Sequence, residues 1–446
     1  MVTKPELLSP AGTLKNMRYA FAYGSDAIYA GQPRYSLRVR NNEFTNPVLA
    51  DAIAEAHARG KQFYVVSNIQ AHNSKIKTYL KDIEPIIEMQ PDALIMSDPG
   101  LIMLVREHFP DQPIHLSVQA NAVNWAAVKF WHSVGIERVV LSRELSIEEI
   151  AEIRQQVPEC ELEVFVHGAL CIAYSGRCLL SGYINKRDAN QGTCTNACRW
   201  KYNTYAAEET ETGDVVPVKV EQISDLTGTT SREQPVMVLE EEGRPGEFMP
   251  AFEDEHGTYI MNSKDLRAVE LVPELVNIGV HSLKIEGRTK SHFYVARTAQ
   301  VYRRAIDDAV AGKPIDPQLI RELDSLANRG YTLGFLKRHV HSDYQNYEQG
   351  ASSSDYQRFV GEVVDASDAW LEIEAKNKFC IGDELEIMTP AGNLKLKLDA
   401  MWHPKTGERM DCAKGSGYVA RIPNPFKGLS DEVLRYALVM RFESWG

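Results

Sequence analysis

Residues 138–168 read RVVLSRELSIEEIAEIRQQVPECELEVFVHG, and this stretch decides the fold class. It opens on an apolar run at 138–142, crosses a segment of helical period and ends on a second apolar run at 161–167. Ser146 followed three residues later by Glu149 is a capping-box pattern, in which each side chain satisfies an orphan backbone donor of a helix start. Runs such as Val139-Val140-Leu141 suit parallel strands covered on both faces better than half-exposed antiparallel ones. Outward from here the same strand-then-helix unit keeps returning. Further strands are expected at 6–9, 27–30, 63–67, 93–97 and 114–118, and an eighth at 282–285, between helices at 265–278 and 290–311. The reading is α/β: a (β/α)8 TIM-like barrel over 1–345, with residues 168–258 as a cysteine-rich, acidic insertion after strand 7. An open doubly wound sheet is the competitor, but no glycine-rich phosphate fingerprint follows the first strand.

Beyond Gly350-Ala351-Ser352-Ser353-Ser354, which reads as a joint, the helical period disappears. Short segments at 359–364, 370–375, 384–388, 394–398, 418–422 and 436–442 alternate or run apolar between turn signals, so 356–446 is expected to be a small all-β barrel domain.

Composition agrees with a globular chain: 446 residues, 44% hydrophobic and 25% charged. No apolar run approaches the roughly 18 residues of a membrane span, and Met1 to Glu6 carries no signal-peptide core, so a cytoplasmic location is expected. The net charge of -12 argues at first against a nucleic-acid partner. However, residues 208–255 hold 14 Asp or Glu against 3 Lys or Arg, which leaves the rest of the chain near neutrality. That segment reads as a solvated excursion with turn-like clusters.

Barrel chemistry sits where strands end, and here those ends are polar. Asn68, Asp98, Gln119, Asn121, Arg143, His167 and Arg288 fall at such positions, with Arg34 and Arg38 after the second strand. Guanidinium groups at a pocket grip carboxylates or phosphates bidentately. His167 is a candidate proton carrier, because its type titrates near neutrality; Asp98 is either a catalytic carboxylate or a helix cap. The strongest local signal is Cys171-x6-Cys178 followed by Cys194-x3-Cys198. Four thiolates in a reduced compartment suggest one metal centre; the six-residue gap favours an iron-sulfur cluster over zinc, whose structural sites use shorter gaps. Cys160, Cys380 and Cys412 stand apart and read as small core residues.

The run 163–171, Glu-Val-Phe-Val-His-Gly-Ala-Leu-Cys, with Tyr174, Gly176, Cys178 and Ser181 after it, resembles the signature of the collagenase-like peptidase U32 family. Ser9-Pro10-Ala11-Gly12, the arginines at 34–40, Leu283 to Arg288 and the run from Arg329 to Leu336 agree with it. The resemblance is to the branch that modifies tRNA. It implies prephenate-dependent hydroxylation of wobble uridine 34 to 5-hydroxyuridine, a 4Fe-4S cluster on Cys171, Cys178, Cys194 and Cys198, and Tyr174 near the chemistry. Two alternatives stand beside it: a peptidase, as the family name says, and an iron-sulfur scaffold serving another enzyme. Neither His-Glu-x-x-His nor Gly-x-Ser-x-Gly supports the first.

Under this implication Arg34, Arg38 or Arg143 would grip the two prephenate carboxylates while Asn68 and Gln119 orient its hydroxyl or ketone. For the tRNA anticodon loop, residues 284–304 offer Lys284, Arg288, Lys290, Arg297, Arg303 and Arg304 with Phe293, Tyr294 and Tyr302 between them. Such interleaving suits stacking on splayed bases.

Overall fold

The structure, a computed structural model, describes residues 3–37, 42–170, 202–209, 215–222, 237–241, 248–251, 253–254, 257–258, 264–328, 330–337 and 357–443. Arg38, Tyr174 and the four clustered cysteines, as well as the expected domain boundary at 345–356, lie outside the described residues.

Seven strands lie side by side in chain order, each parallel to the one before: β1 (Glu6–Pro10), β2 (Ala27–Gly31), β3 (Gln62–Ser67), β4 (Ala93–Met96), β5 (Ile114–Leu116), β6 (Arg138–Val140) and β7 (Glu161–Ala169). Helices α1 (Leu14–Ala22), α2 (Asn46–Ala58), α3 (Asn73–Glu88), α4 (Pro99–His108), α5 (Trp125–Ser133) and α6 (Ile147–Gln156) follow the first six. Their starts are fixed locally. Thr13, Asp98, Asn124 and Ser146 accept from backbone N–H groups of the first turns, and Ser146 with Glu149 completes both halves of the capping box.

The chain then leaves the barrel. β8 (Tyr202–Glu209), β9 (Val215–Gln222), β10 (Met237–Glu241) and β11 (Phe248–Ala251) form an antiparallel sheet in the order β11-β10-β8-β9, and β12 (Glu253–Asp254) pairs with β13 (Gly257–Thr258). The acidic segment is thus built on a sheet, because runs such as Val215-Val216-Pro217-Val218 and Met237-Val238-Leu239 carry strand propensity between the charges. Where a helix was expected over 265–278, β14 (Asp265–Arg267) first pairs antiparallel with the end of β7; helix α7 (Val272–Ile278) begins only afterwards, with Pro273 in its first turn. β15 (Ser282–Ile285) pairs in parallel with both β7 and β1 and closes the eight-stranded barrel. α8 (His292–Val310), α9 (Pro317–Asp324) and β16 (Tyr331–Thr332), paired to β14, complete this part.

The C-terminal domain is all-β apart from one short helix, α10 (Asp431–Leu434). Its strands are β17 (Gln357–Ala366), β18 (Trp370–Ala375), β19 (Phe379–Cys380), β20 (Glu384–Thr389), β21 (Gly392–Lys397), β22 (Cys412–Ala413), β23 (Val419–Pro423) and β24 (Leu438–Phe442). Six form an antiparallel sheet ordered β21-β20-β24-β17-β18-β23, with the β19–β22 ladder beside it. That ladder corrects the reading of two cysteines. Cys380 and Cys412 face each other across it and are joined in a disulfide, whereas Cys160 is a free, buried thiol as expected.

Two cores meet along α8. Val360, Leu371, Phe379, Leu385 and Val439 pack within the C-terminal domain, while Met388, Leu438 and Met440 turn the other way into the same cluster as the barrel helices. Arg297 of α8 is fully buried at this seam; its Nη2 donates to Glu386 Oε2 at 2.6 Å, and Gln357 Nε2 donates to the same oxygen at 2.8 Å. Among the described residues no helix is long and apolar enough to cross a membrane.

Removing one member of a buried pair strands the other charge, whereas removing both need not. Arg297→Met is therefore expected to cost about 3–5 kcal/mol in urea unfolding, and adding Glu386→Leu to recover most of that loss.

Candidate functional site

The interior of the barrel is charged along its axis. Arg138 of β6 donates to Glu6 Oε1 at 2.7 Å and to Glu163 Oε2 at 3.4 Å, and Lys284 of β15 donates to Glu163 Oε1 at 2.7 Å. Tyr64 donates to Glu6 at 2.6 Å, and Ser282 to the other oxygen of that carboxylate at 2.8 Å. All of these are buried or nearly so. Burial pushes the Glu6 carboxyl up, against the pull of Arg138, and burial pushes the Lys284 amine down, against the pull of Glu163.

This column ends in a pocket at the C-terminal ends of the strands. Lys284, Arg143, Arg288 and Glu286 supply its charges, Asn68, Ser117 and Gln119 its neutral polar wall, and Tyr29 and Phe165 its aromatic sides. The cavity they enclose is about 70 Å³ and opens outward at the mouth. Arg143 lies 3.8 Å above the Phe165 ring and 3.8 Å from Glu286, Lys284 lies 4.3 Å from the Tyr29 ring centre, and Arg288 donates to the Leu37 carbonyl at 2.7 Å. Asn68 Nδ2 donates to Ser117 Oγ at 3.0 Å and Gln119 Oε1 at 2.9 Å, while its Oδ1 accepts from Leu37 N. Gly31 leaves room for this arrangement, since a Cβ there would come within 2.9 Å of the Arg288 guanidinium. Two arginines and the Glu163-paired Lys284 thus face one carboxylate, Glu286, on aromatic walls, a lining whose chemistry suits a small anion.

Of the residues expected at the site, the fold brings together Asn68, Gln119, Arg143 and Arg288. Arg34 turns away, pairing with Asp82 of α3 at 2.6 Å on the exterior. Asn121 sits in a left-handed turn and accepts from Ser142 Oγ at 3.1 Å, bracing two strand-end loops. Asp98 caps α4: one oxygen accepts from the Gly100 and Leu101 amides and the other from Ala71 N. Lys284, Tyr29 and Phe165 line the pocket without being strand-end residues, beside Glu286, which follows the last barrel strand. Alternation was the available signal, because Ser282, Lys284 and Glu286 share one face of their strand, as Glu163 and Phe165 do.

His167 is displaced by a single residue. Lys284 is opposite Phe165 but Ile285 is opposite His167, so Val166 is an extra residue and the alternation of β7 flips at this bulge. His167 consequently faces outward into a cage of Tyr294, Tyr302 and Tyr331, with Nδ1 3.3 Å from Tyr302 Oη. Burial pushes it down to about 3, which favours the neutral ring, and its side chain is not among those lining the barrel-mouth pocket.

The basic stretch 284–304 also departs from expectation. Lys284 and Arg288 belong to the barrel interior and pocket, Arg297 is sealed at the domain seam, Arg303 pairs with Asp26 and Asp307, and Arg304 pairs with Glu322 and Asp316. Phe293, Tyr294 and Tyr302 are buried. The arginines of this helix are thus all ion-paired, Arg304 staying 41% exposed beside its partners, while Lys290 ahead of it lies 5.3 Å from the Tyr294 ring centre. Among the described residues no three His, Cys, Asp or Glu side chains converge as a metal site.

The His167 environment sets a pH dependence. A ring held neutral when folded but titrating at 6.5 when unfolded stabilises the fold above about pH 6.5, and that contribution is lost as pH falls towards 3. Its NMR resonances are expected to stay fixed between about pH 5 and 8, and His167→Phe to flatten the acid limb of the stability curve. A midpoint near 6.5 would show a hydrated ring.

Comparison with known proteins places this geometry in a lineage. The model described as "Peptidase family U32" matches residues 12–346, and "Peptidase family U32 C-terminal domain" matches 355–440. The "tRNA hydroxylation protein P" of Escherichia coli (strain K12) is 64% identical over 443 residues, covering 98% of this chain and 97% of that one. The protein of the same name from Haemophilus influenzae is 62% identical, covering 98% and 96%. The "tRNA hydroxylation protein P1" of Bacillus subtilis (strain 168) is 34% identical, covering 92% and 90%. With both of its domains matched and relatives this similar along nearly all of its length, the chain belongs to peptidase family U32.

Proposed function

We propose that this protein is a cytoplasmic tRNA-modifying enzyme that hydroxylates wobble uridine 34 to 5-hydroxyuridine, with prephenate bound in the barrel-mouth pocket as co-substrate. The observation that carries the reading is the pocket itself: Arg143, Arg288 and Lys284 converge where a (β/α)8 barrel does its chemistry, and prephenate carries two carboxylates. The relatives named for tRNA hydroxylation supply the polymer and the reaction class. Asn68, Ser117 and Gln119, already linked to one another, would receive the hydroxyl or ketone of the acid, while the anticodon loop presents its base at the open mouth.

Leu170, buried at the end of β7, is the last described residue before Cys171, so the chain enters the cysteine-rich segment at this same mouth. Cys171, Cys178, Cys194 and Cys198 would hold a 4Fe-4S cluster, which supplies one-electron chemistry when bound. Zinc is the competing occupant, distinguished by metal analysis of anaerobically purified protein. The peptidase alternative loses its histidine, since His167 lies behind the barrel wall in a tyrosine cage, and the free thiol Cys160 is buried with its thiol pushed up to about 12 by that burial.

Arg143→Ala is expected to raise the prephenate concentration needed for half-maximal modification by at least about tenfold, as loss of a charge-assisted contact costs roughly 1.5–3 kcal/mol. An unchanged requirement would move the acid to another site. Nucleoside analysis of tRNA from cells lacking the protein tests the reaction itself: 5-hydroxyuridine and its derivatives should disappear and return with the intact gene. Their persistence refutes the assignment.

A further inference from the structure

The mouth pocket contains a group that anion binding alone does not require. Lys284 lies on its floor, 3% exposed, between the Tyr29 ring at 4.3 Å and the Phe165 ring at 5.5 Å. A lysine placed there for charge alone would be a poor choice, since Arg143 and Arg288 already supply guanidinium forks that match carboxylates. What an amine adds is nucleophilicity. Its surroundings follow the logic of an activated nucleophile, which needs a base within hydrogen-bond reach and a third group to orient that base. Glu163 Oε1 is 2.7 Å from Lys284 Nζ, and the other Glu163 oxygen is held at 3.4 Å by Arg138, itself anchored on Glu6 at 2.7 Å. Desolvation pushes the amine down, and the attraction of Glu163 and Glu286 only partly offsets it.

We propose that Lys284 captures the carbonyl of a 2-oxo acid as an imine, with Glu163 as its proton acceptor and donor and Arg143 and Arg288 holding the carboxylate. The inference rests on the reading of this pocket as an oxo-acid site, prephenate being one member of that class. The ammonium proton passes to Glu163, and the freed lone pair forms the C–N bond while the carbonyl π electrons move to oxygen. A proton shifts from nitrogen to that oxygen, Glu163 returns its own, and the C–O bond breaks with loss of water. Ammonium plus ketone thus become iminium plus water, with no oxidant or reductant. The cation that Glu163 neutralised is kept, so the buried ion pair survives the reaction.

The test uses the full chain, purified anaerobically, with pyruvate, phenylpyruvate or prephenate in the presence of cyanoborohydride, followed by peptide mass mapping. Calorimetry with the same acids is run alongside. The expected result is one reduced adduct on Lys284, absent from a Lys284→Arg variant that still melts as a folded protein. Glu163→Gln should slow its formation at least tenfold, and Arg143→Ala should weaken binding and adduct together. Binding without an adduct, or adducts on surface lysines that persist in Lys284→Arg, overturns the imine while leaving the pocket reading intact. Failure of all three acids to bind removes the occupant, and the imine with it.

Discussion

Glu163 is the residue on which the interior of this barrel depends. It is fully buried and accepts from Arg138 on one side and Lys284 on the other, tying β6, β7 and β15 together around the point where the sheet closes. A carboxylate in such a place is tolerated only while both partners remain, because the desolvation cost of an unpaired charge is several kcal/mol. The three strands are thereby locked in a common register, and the register decides what the pocket contains. One step of slippage in β15 would exchange Lys284 for Leu283 on the inner face. Ordinary barrel interiors rely on stacked branched residues. Here Leu8, Tyr29, Val66 and Ile95 supply an apolar part and the ion column supplies the rest.

The architecture was legible because it is written in periodicities. Apolar runs of four or five residues, separated by helix-length segments with explicit caps, leave few alternatives to a closed parallel sheet, and Ser146 with Glu149 sits where the pattern requires. The arginines and amides of the pocket were legible for a related reason: strand ends are countable, and Asn68, Gln119, Arg143 and Arg288 are among the polar residues found there.

What was not legible depends on offsets of one residue or on partners distant in sequence. The bulge at Val166 cannot be counted from a strand read alone; it exists only relative to β15, more than a hundred residues later, and it turns His167 outward. Arg297 and Arg303 look free in sequence because Glu386 and Asp26 lie far from them along the chain; only the Arg303–Asp307 pair, four residues apart on α8, could have been read locally. Cys380 and Cys412 likewise meet only because β19 and β22 pair. Charge patterns in sequence report composition, whereas exposure is decided by which surfaces the fold covers.

Because α8 donates Arg297 to one domain and its apolar face to the other, the two parts of the molecule are packed against a common helix. Separating the two parts would leave the Arg297 guanidinium without its buried partner. A barrel of this lineage that lost or replaced its C-terminal sheet would first have to rewrite the outward surface of α8, exchanging the buried guanidinium for a residue that water can cover. Descendants lacking the second domain should therefore carry a neutral or fully solvated side chain at position 297, and a gene fusion that preserves arginine there should also bring a carboxylate to meet it.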